Sequence, residues 1–176
     1  MFQVGEYVIH GANGACKVVD VTHLDISGSD KDRQYYVLEP VKTRSSRIYF
    51  PVDSDKVPMR KILTREEALQ LLDSLQTIQP LEVPSEKFRE DTYKAVMKTC
   101  DCRSWISMMK TLFQKRKKRL AEGRKFTSVD ERYLKAAEDF LFGELSLALE
   151  QNREELIREF SGRMEIVEME EMELQA

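Results

Sequence analysis

RIYFPVDSDKVPMRKILTREEALQLLDSL, residues 47–75, changes its periodicity midway. Arg47-Ile48-Tyr49-Phe50 alternates polar and apolar positions with a period of two, the pattern of a half-buried strand, and Pro51 ends it. From Thr64 the pattern is helical. Thr64 and Glu67 have the spacing of a capping box, and Leu69, Leu72 and Leu75 mark an apolar stripe. Residues 59–63 join the two patterns as a linker.

Towards the N-terminus the period of two persists. Phe2 to His10 alternates, Gly11-Ala12-Asn13-Gly14 supplies a turn, and Cys16 to Thr22 forms a second strand closed by Ser27-Gly28-Ser29-Asp30. Gln34 to Glu39 is a third strand, stopped by Pro40. Four or five strands in fewer than 60 residues make a small, strongly bent sheet or open barrel.

Towards the C-terminus nearly everything reads as helix. Helices are expected over Ser85 to Thr99, Asp101 to Glu122, Ser128 to Leu149 with a capping box at Ser128 and Glu131, and Asn152 to Phe160 with Gly162 as a stop. Trp105, Met108, Met109, Leu112, Phe113 and Leu120 form the apolar stripe of the second of these. Trp105 is therefore read as core, and Gly143 as a small residue that permits close helix packing. The expected fold class is α+β: a β module over 1–58, the 59–63 linker, a helical unit over 64–162, and an acidic tail over 163–176, disorder being one option.

The charge is unevenly distributed. The whole chain carries −3, but residues 1–80 carry −1, residues 81–135 carry +7 and residues 136–176 carry −9. A basic stretch in an acidic chain is the footprint of a polyanion partner. Lys115, Lys117, Lys118 and Arg119 end one helix, Arg124 and Lys125 follow it, Arg132 and Lys135 start the next, and Arg89 and Lys94 lie upstream. Their contacts would be to phosphate, which carries no sequence information.

Other classes find little support. No apolar run approaches the ~18 residues of a membrane span, and the opening MFQVGEYVIH lacks the basic and apolar regions of a signal peptide. Three cysteines, an odd number, argue for a reducing compartment, so a cytoplasmic monomer is expected. Cys100-Asp101-Cys102 lacks the second ligand pair of a structural zinc site and reads as ordinary thiols at a helix junction. No nucleophile elbow, P-loop or dinucleotide fingerprint occurs, so no enzyme activity, cofactor or metal is expected.

Several stretches together resemble a known family. Val4-Gly5-Glu6-Tyr7-Val8, the Gly11–Gly14 turn and Cys16-Lys17-Val18-Val19 resemble the opening of the CarD/CdnL family of bacterial transcription regulators. That family shares this module with the RNA-polymerase-interacting domain of transcription-repair coupling factors. Tyr35-Tyr36-Val37-Leu38-Glu39 and Arg47-Ile48-Tyr49-Phe50-Pro51-Val52 are similar to its later strands. Tyr93-Lys94-Ala95 and Phe142-Gly143-Glu144-Leu145 resemble its helical segments.

The resemblance implies a Tudor-like β domain that docks on the RNA polymerase β subunit by strand addition, here through Arg47, Ile48, Tyr49, Phe50 and Pro51. Alternation directs Arg47 and Tyr49 outward and Ile48 and Phe50 into the core. It also implies a helical domain that touches promoter duplex DNA and stabilises the open complex. Many members carry a wedge tryptophan four residues before the Tyr93 position. Here Arg89 occupies that place, preceded by Phe88, which can supply an apolar wedge if the register slips by one. Of the basic residues, Lys94 falls in the segment most similar to the family's DNA-facing surface. The competing reading is an adaptor whose basic patch binds an acidic protein instead of DNA.

Overall fold

A computed structural model of the chain describes residues 1–11 and 13–175, with the backbone alone over 166–174. It is an α+β protein that divides into two compact units, Met1–Ile62 and Leu63–Ala176.

The first unit is an antiparallel sheet of β1 (Tyr7–His10), β2 (Gly14–His23), β3 (Gln34–Pro40), β4 (Ile48–Pro51) and β5 (Met59–Lys61), in the order β4-β3-β2-β1-β5. The β1–β2 turn needs a residue at positive φ, and Gly14 supplies it at +69°. A register shift between Val18 and Asp20 bends β2 as it passes between β1 and β3. Alternation along the strands then sends Val8, Cys16, Val18, Tyr36, Leu38 and Phe50 into one core. Burial pushes the Cys16 thiol up to about 12, which keeps it protonated and inert.

One sequence expectation changes here. Met59–Lys61, read as linker, is a strand paired with β1 from Val8↔Lys61 to His10↔Met59. Three residues are too few to show a period. The strands form an open sheet with β4 and β5 at its edges.

The second unit contains α1 (Arg65–Asp73), α2 (Arg89–Met97), α3 (Cys102–Ala121), α4 (Ser128–Leu149) and α5 (Arg153–Gln175). The Thr64–Glu67 capping box is present in both directions. The buried stripe of α1 is Ala68, Leu71 and Leu72, continued by Leu75, whereas Leu69 faces solvent. Asp101 caps α3 by accepting from the Arg103 and Ser104 amides. Trp105, Met108, Met109 and Leu112 are fully buried as expected, but Leu120 is exposed beyond the packed part of the helix.

Two helix ends differ from the sequence reading. The cap of α4 is Thr127, whose hydroxyl accepts from the Asp130 amide, one residue earlier than Ser128 and Glu131. Both pairs have the same spacing, and only the tertiary surroundings of Asp130 separate them. α5 continues through Gly162, where a stop was expected, and takes in most of the segment read as an acidic tail.

Gly143 also has a different explanation. A Cβ built there meets nothing within 4 Å, so close packing does not require glycine. Gly143→Ala should therefore raise stability by up to about 1 kcal/mol, the helix-interior penalty of glycine. A thermal melt would check this, and a lower melting temperature would show that the site does need the missing side chain.

Candidate functional site

Two features could meet a partner, one in each unit. In the helical unit the first residue to consider is Asp130, at the start of α4, which has no exposed surface. Four donors converge on its two oxygens. Oδ1 accepts from Arg89 Nε at 3.0 Å and from the Tyr93 hydroxyl at 3.1 Å. Oδ2 accepts from the Thr127 hydroxyl at 2.7 Å and lies 3.2 Å from Lys115 Nζ. Burial alone would raise the Asp130 pKa, but the bonds from Thr127, Lys115 and Arg89 outweigh it and the net shift is downward. Asp130 therefore stays ionised. Burial, reinforced by the Asp130 charge, pushes the Tyr93 phenol well above its ordinary value, so it remains a donor.

The cluster reaches one turn further. A 3₁₀ turn, Glu86–Phe88, precedes α2. The Glu86 carboxylate is 2.8 Å from Lys115 Nζ, and its backbone carbonyl accepts from the Arg89 guanidinium at 3.1 Å. Glu86, Arg89, Lys115 and Asp130 thus form a neutral quartet joining the start of α2, the middle of α3 and the start of α4. Beside it, Glu90 accepts from Arg132 at 2.7 Å and from the Tyr133 hydroxyl at 3.1 Å, with Lys94 at 3.7 Å.

These pairings sort the basic residues expected at a DNA face. Arg89 and Lys115 keep only 24% and 19% side-chain exposure and are held by Asp130. Lys94 and Arg132 are exposed but share Glu90. Arg119 donates to the Lys125 carbonyl at 2.8 Å, and Arg124 lies 3.6 Å from Glu122. Lys117, Lys118, Lys125 and Lys135 are exposed on the surface. Lys118 and Lys135 stand three residues beyond Lys115 and Arg132, on neighbouring faces of their helices.

Phe88 is 58% exposed at the first residue before α2, with Lys87 Nζ 5.4 Å from its ring centroid. Sequence reasoning missed Lys87, Tyr93 and Asp130 as members of this surface and its support. The Thr127–Asp130 spacing and the four-residue step from Arg89 to Tyr93 were the available signals.

In the β unit, β4 is an edge strand whose partner on one side is β3, with Val37 opposite Tyr49 and Tyr36 opposite Phe50. Phe50 is buried, Ile48 packs against the same core, and Tyr49 is 47% exposed. Arg47 lies just before the strand and is exposed. Pro51 is the last strand residue and brings no N–H to the edge. His10 packs edge-on against Phe50 at 5.0 Å, and burial lowers its pKa, which keeps the ring neutral beneath this strand.

Among the described residues, no group of three or more His, Cys, Asp or Glu could hold a metal ion. Cys102, on the C-x-C segment, donates its thiol to the buried Glu144 at 3.1 Å. No described helix is long and apolar enough to cross a membrane.

Residues 2–63 match the model of the CarD-like/TRCF RID domain. No curated protein matches the chain. The match spans the whole β unit, including β4 and the added strand β5.

Acidification reports on Asp130 directly. Because its folded pKa is depressed, its contribution is complete above the ordinary Asp value near ~4 and is lost as pH falls through the lower folded value. Asp130→Asn should cost about 3 kcal/mol at neutral pH, the low end for a buried pair because both cations keep some exposure. The gap to wild type should narrow in acid. Trp105 is the only tryptophan and is fully buried in this unit, so its fluorescence during unfolding measures both effects.

Proposed function

Taking residues 2–63 as a CarD-like/TRCF RID domain, we propose that the chain is a transcription regulator that binds the RNA polymerase β subunit and contacts promoter duplex DNA, modulating open-complex stability. The observation that carries the reading is the edge position of β4 within the matched domain. An edge strand offers unpaired N–H and C=O groups to an incoming strand, and alternation leaves Tyr49 facing outward while Ile48 and Phe50 anchor the strand to the core. Arg47 at its start adds charge at the rim, where it would steer the encounter.

The DNA contact is a finer step. Its support is an exposed phenylalanine at a helix start, with Lys87, Lys118 and Lys135 on exposed positions of the same unit. An apolar side chain flanked by cations is the equipment of a minor-groove wedge, with phosphate contacts holding the register. Phe88 fits this part better than Arg89, whose guanidinium is engaged by Asp130 and the Glu86 carbonyl. Lys118, Lys125 and Lys135 then supply phosphate contacts, with Lys94, Lys117, Arg119, Arg124 and Arg132 contributing less because each has an interaction within the protein.

Internal pairing also favours the adaptor reading to a degree, since fewer cations remain for a polyanion than the charge count suggests. Competition separates the two. On the DNA reading, duplex DNA binds at ~10⁻⁴–10⁻⁶ M near physiological salt, with little sequence preference and a steep loss as salt rises.

Three variants test the assignment. Arg47→Glu should weaken binding to the isolated β-subunit lobe without altering the melt. Phe88→Ala should retain polymerase binding and shorten open-complex lifetime. Changing Lys118, Lys125 and Lys135 to glutamate should weaken duplex binding and reduce its salt dependence. Wild-type lobe affinity in Arg47→Glu would remove this rim from the interface, and a wild-type lifetime in Phe88→Ala with wild-type duplex affinity in the triple variant would remove the DNA role.

A further inference from the structure

We propose that Asp130 is a positioning residue for Phe88: through Arg89 and Lys115 it fixes the turn that presents the phenylalanine. The inference rests on the reading of Phe88 as the residue that meets DNA, and it concerns a group that would itself touch no nucleic acid.

The argument begins with what does not hold the turn. Glu86–Phe88 contains no buried residue, so no apolar contact within it anchors it to the core. α2 has no side-chain cap, since Phe88 occupies the N-cap position and has no group to accept from the helix amides. A turn with neither packing nor a cap is expected to fray, because nothing offsets the conformational entropy lost when its backbone is fixed.

What does hold it is the quartet. Lys115 grips the Glu86 carboxylate from α3, and the Arg89 guanidinium grips the Glu86 carbonyl from α2. Both cations end on Asp130, which Thr127 and Tyr93 fix in turn. Asp130 is the shared anchor of both grips. Without its charge, Arg89 and Lys115 lose the partner that directs them and the turn loses its attachment to α4. Phe88 would then have to be ordered during insertion, which weakens insertion without removing any group that touches DNA.

This arrangement has a signature that plain destabilisation lacks. Neutralising Asp130 also removes a negative charge near the DNA face and releases two cations. Simple duplex affinity should therefore hold or rise, with a steeper salt dependence, while the function that needs an ordered Phe88 falls. An unfolded or loosened helical unit would lower both.

The experiment uses the full chain with RNA polymerase and a promoter duplex. Open-complex lifetime and polymerase-free duplex affinity are measured for wild type, Asp130→Asn, Phe88→Ala and the double variant, with hydrogen exchange of residues 85–93 and of the α3 core. Asp130→Asn should shorten the lifetime about tenfold, the scale of ordering one further residue. It should speed exchange at the turn by more than in the α3 core, and leave duplex affinity equal or higher. In the Phe88→Ala background it should change the lifetime less than about twofold, because coupled residues act as one unit.

If Asp130→Asn fails to fold, Asp130→Asn combined with Lys115→Met takes its place, removing one charge of each sign and leaving the quartet neutral. An unchanged lifetime in Asp130→Asn, the same loss with and without Phe88, or a fall in duplex affinity parallel to lifetime would each overturn the positioning role while Phe88→Ala still marks the wedge. A wild-type lifetime in Phe88→Ala would instead remove the wedge reading and this inference with it.

Discussion

Burying an ionised carboxylate costs several kcal/mol, and Asp130 has no exposed surface. That cost is tolerable only where donors surround the charge, and here four converge, two from α2, one from α3 and one from the cap of α4. The constraint propagates outward. Tyr93, Arg89 and Lys115 must all reach one point, so the start of α2 has to cross the middle of α3 beside the start of α4. The apolar stripes of these helices provide most of the binding free energy, but stripes of leucine and methionine tolerate sliding. A carboxylate with four fixed partners does not. The four bonds to Asp130 are all made in one register of these helices, and a slide of one turn would break those from α2 and α3.

The same cluster changes what the local net charge means. A stretch carrying +7 suggests a broad basic surface, yet two of its cations are drawn inward to Asp130 and two more share Glu90. What remains is a sparser set of exposed lysines, of which Lys87 lies over the ring of the exposed Phe88. That arrangement suits a contact whose strength comes from geometry and local concentration more than from charge. A protein held on polymerase by its β unit would need only such a weak second contact.

The parts that could be read from sequence are those governed by neighbours within a few residues. The Thr64–Glu67 capping box, the alternation of Ile48, Tyr49 and Phe50, and the burial of Trp105, Met109 and Leu112 all depend on spacing alone. The parts that could not depend on distant partners. Arg89 and Asp130 are 41 residues apart, and nothing local distinguishes Arg89 from an exposed arginine. Thr127 and Ser128 each have an acid three residues later, and the choice between them follows from where Asp130 is buried. Met59–Lys61 has no period to read, because its strand character comes from β1. Family resemblance brought attention to Tyr93-Lys94-Ala95, and the structure gives its tyrosine a physical role as a fixed donor to Asp130.

β4 has four residues and ends in a proline. A strand this short can offer an incoming chain only a few backbone bonds before the ladder stops. Two copies of the protein meeting edge to edge would gain the same few bonds, with no further residue to extend them. Long unpaired edges are what seed open-ended stacking of sheets. A short edge strand that ends in a proline is therefore a poor template for open-ended stacking of one copy of the protein on another.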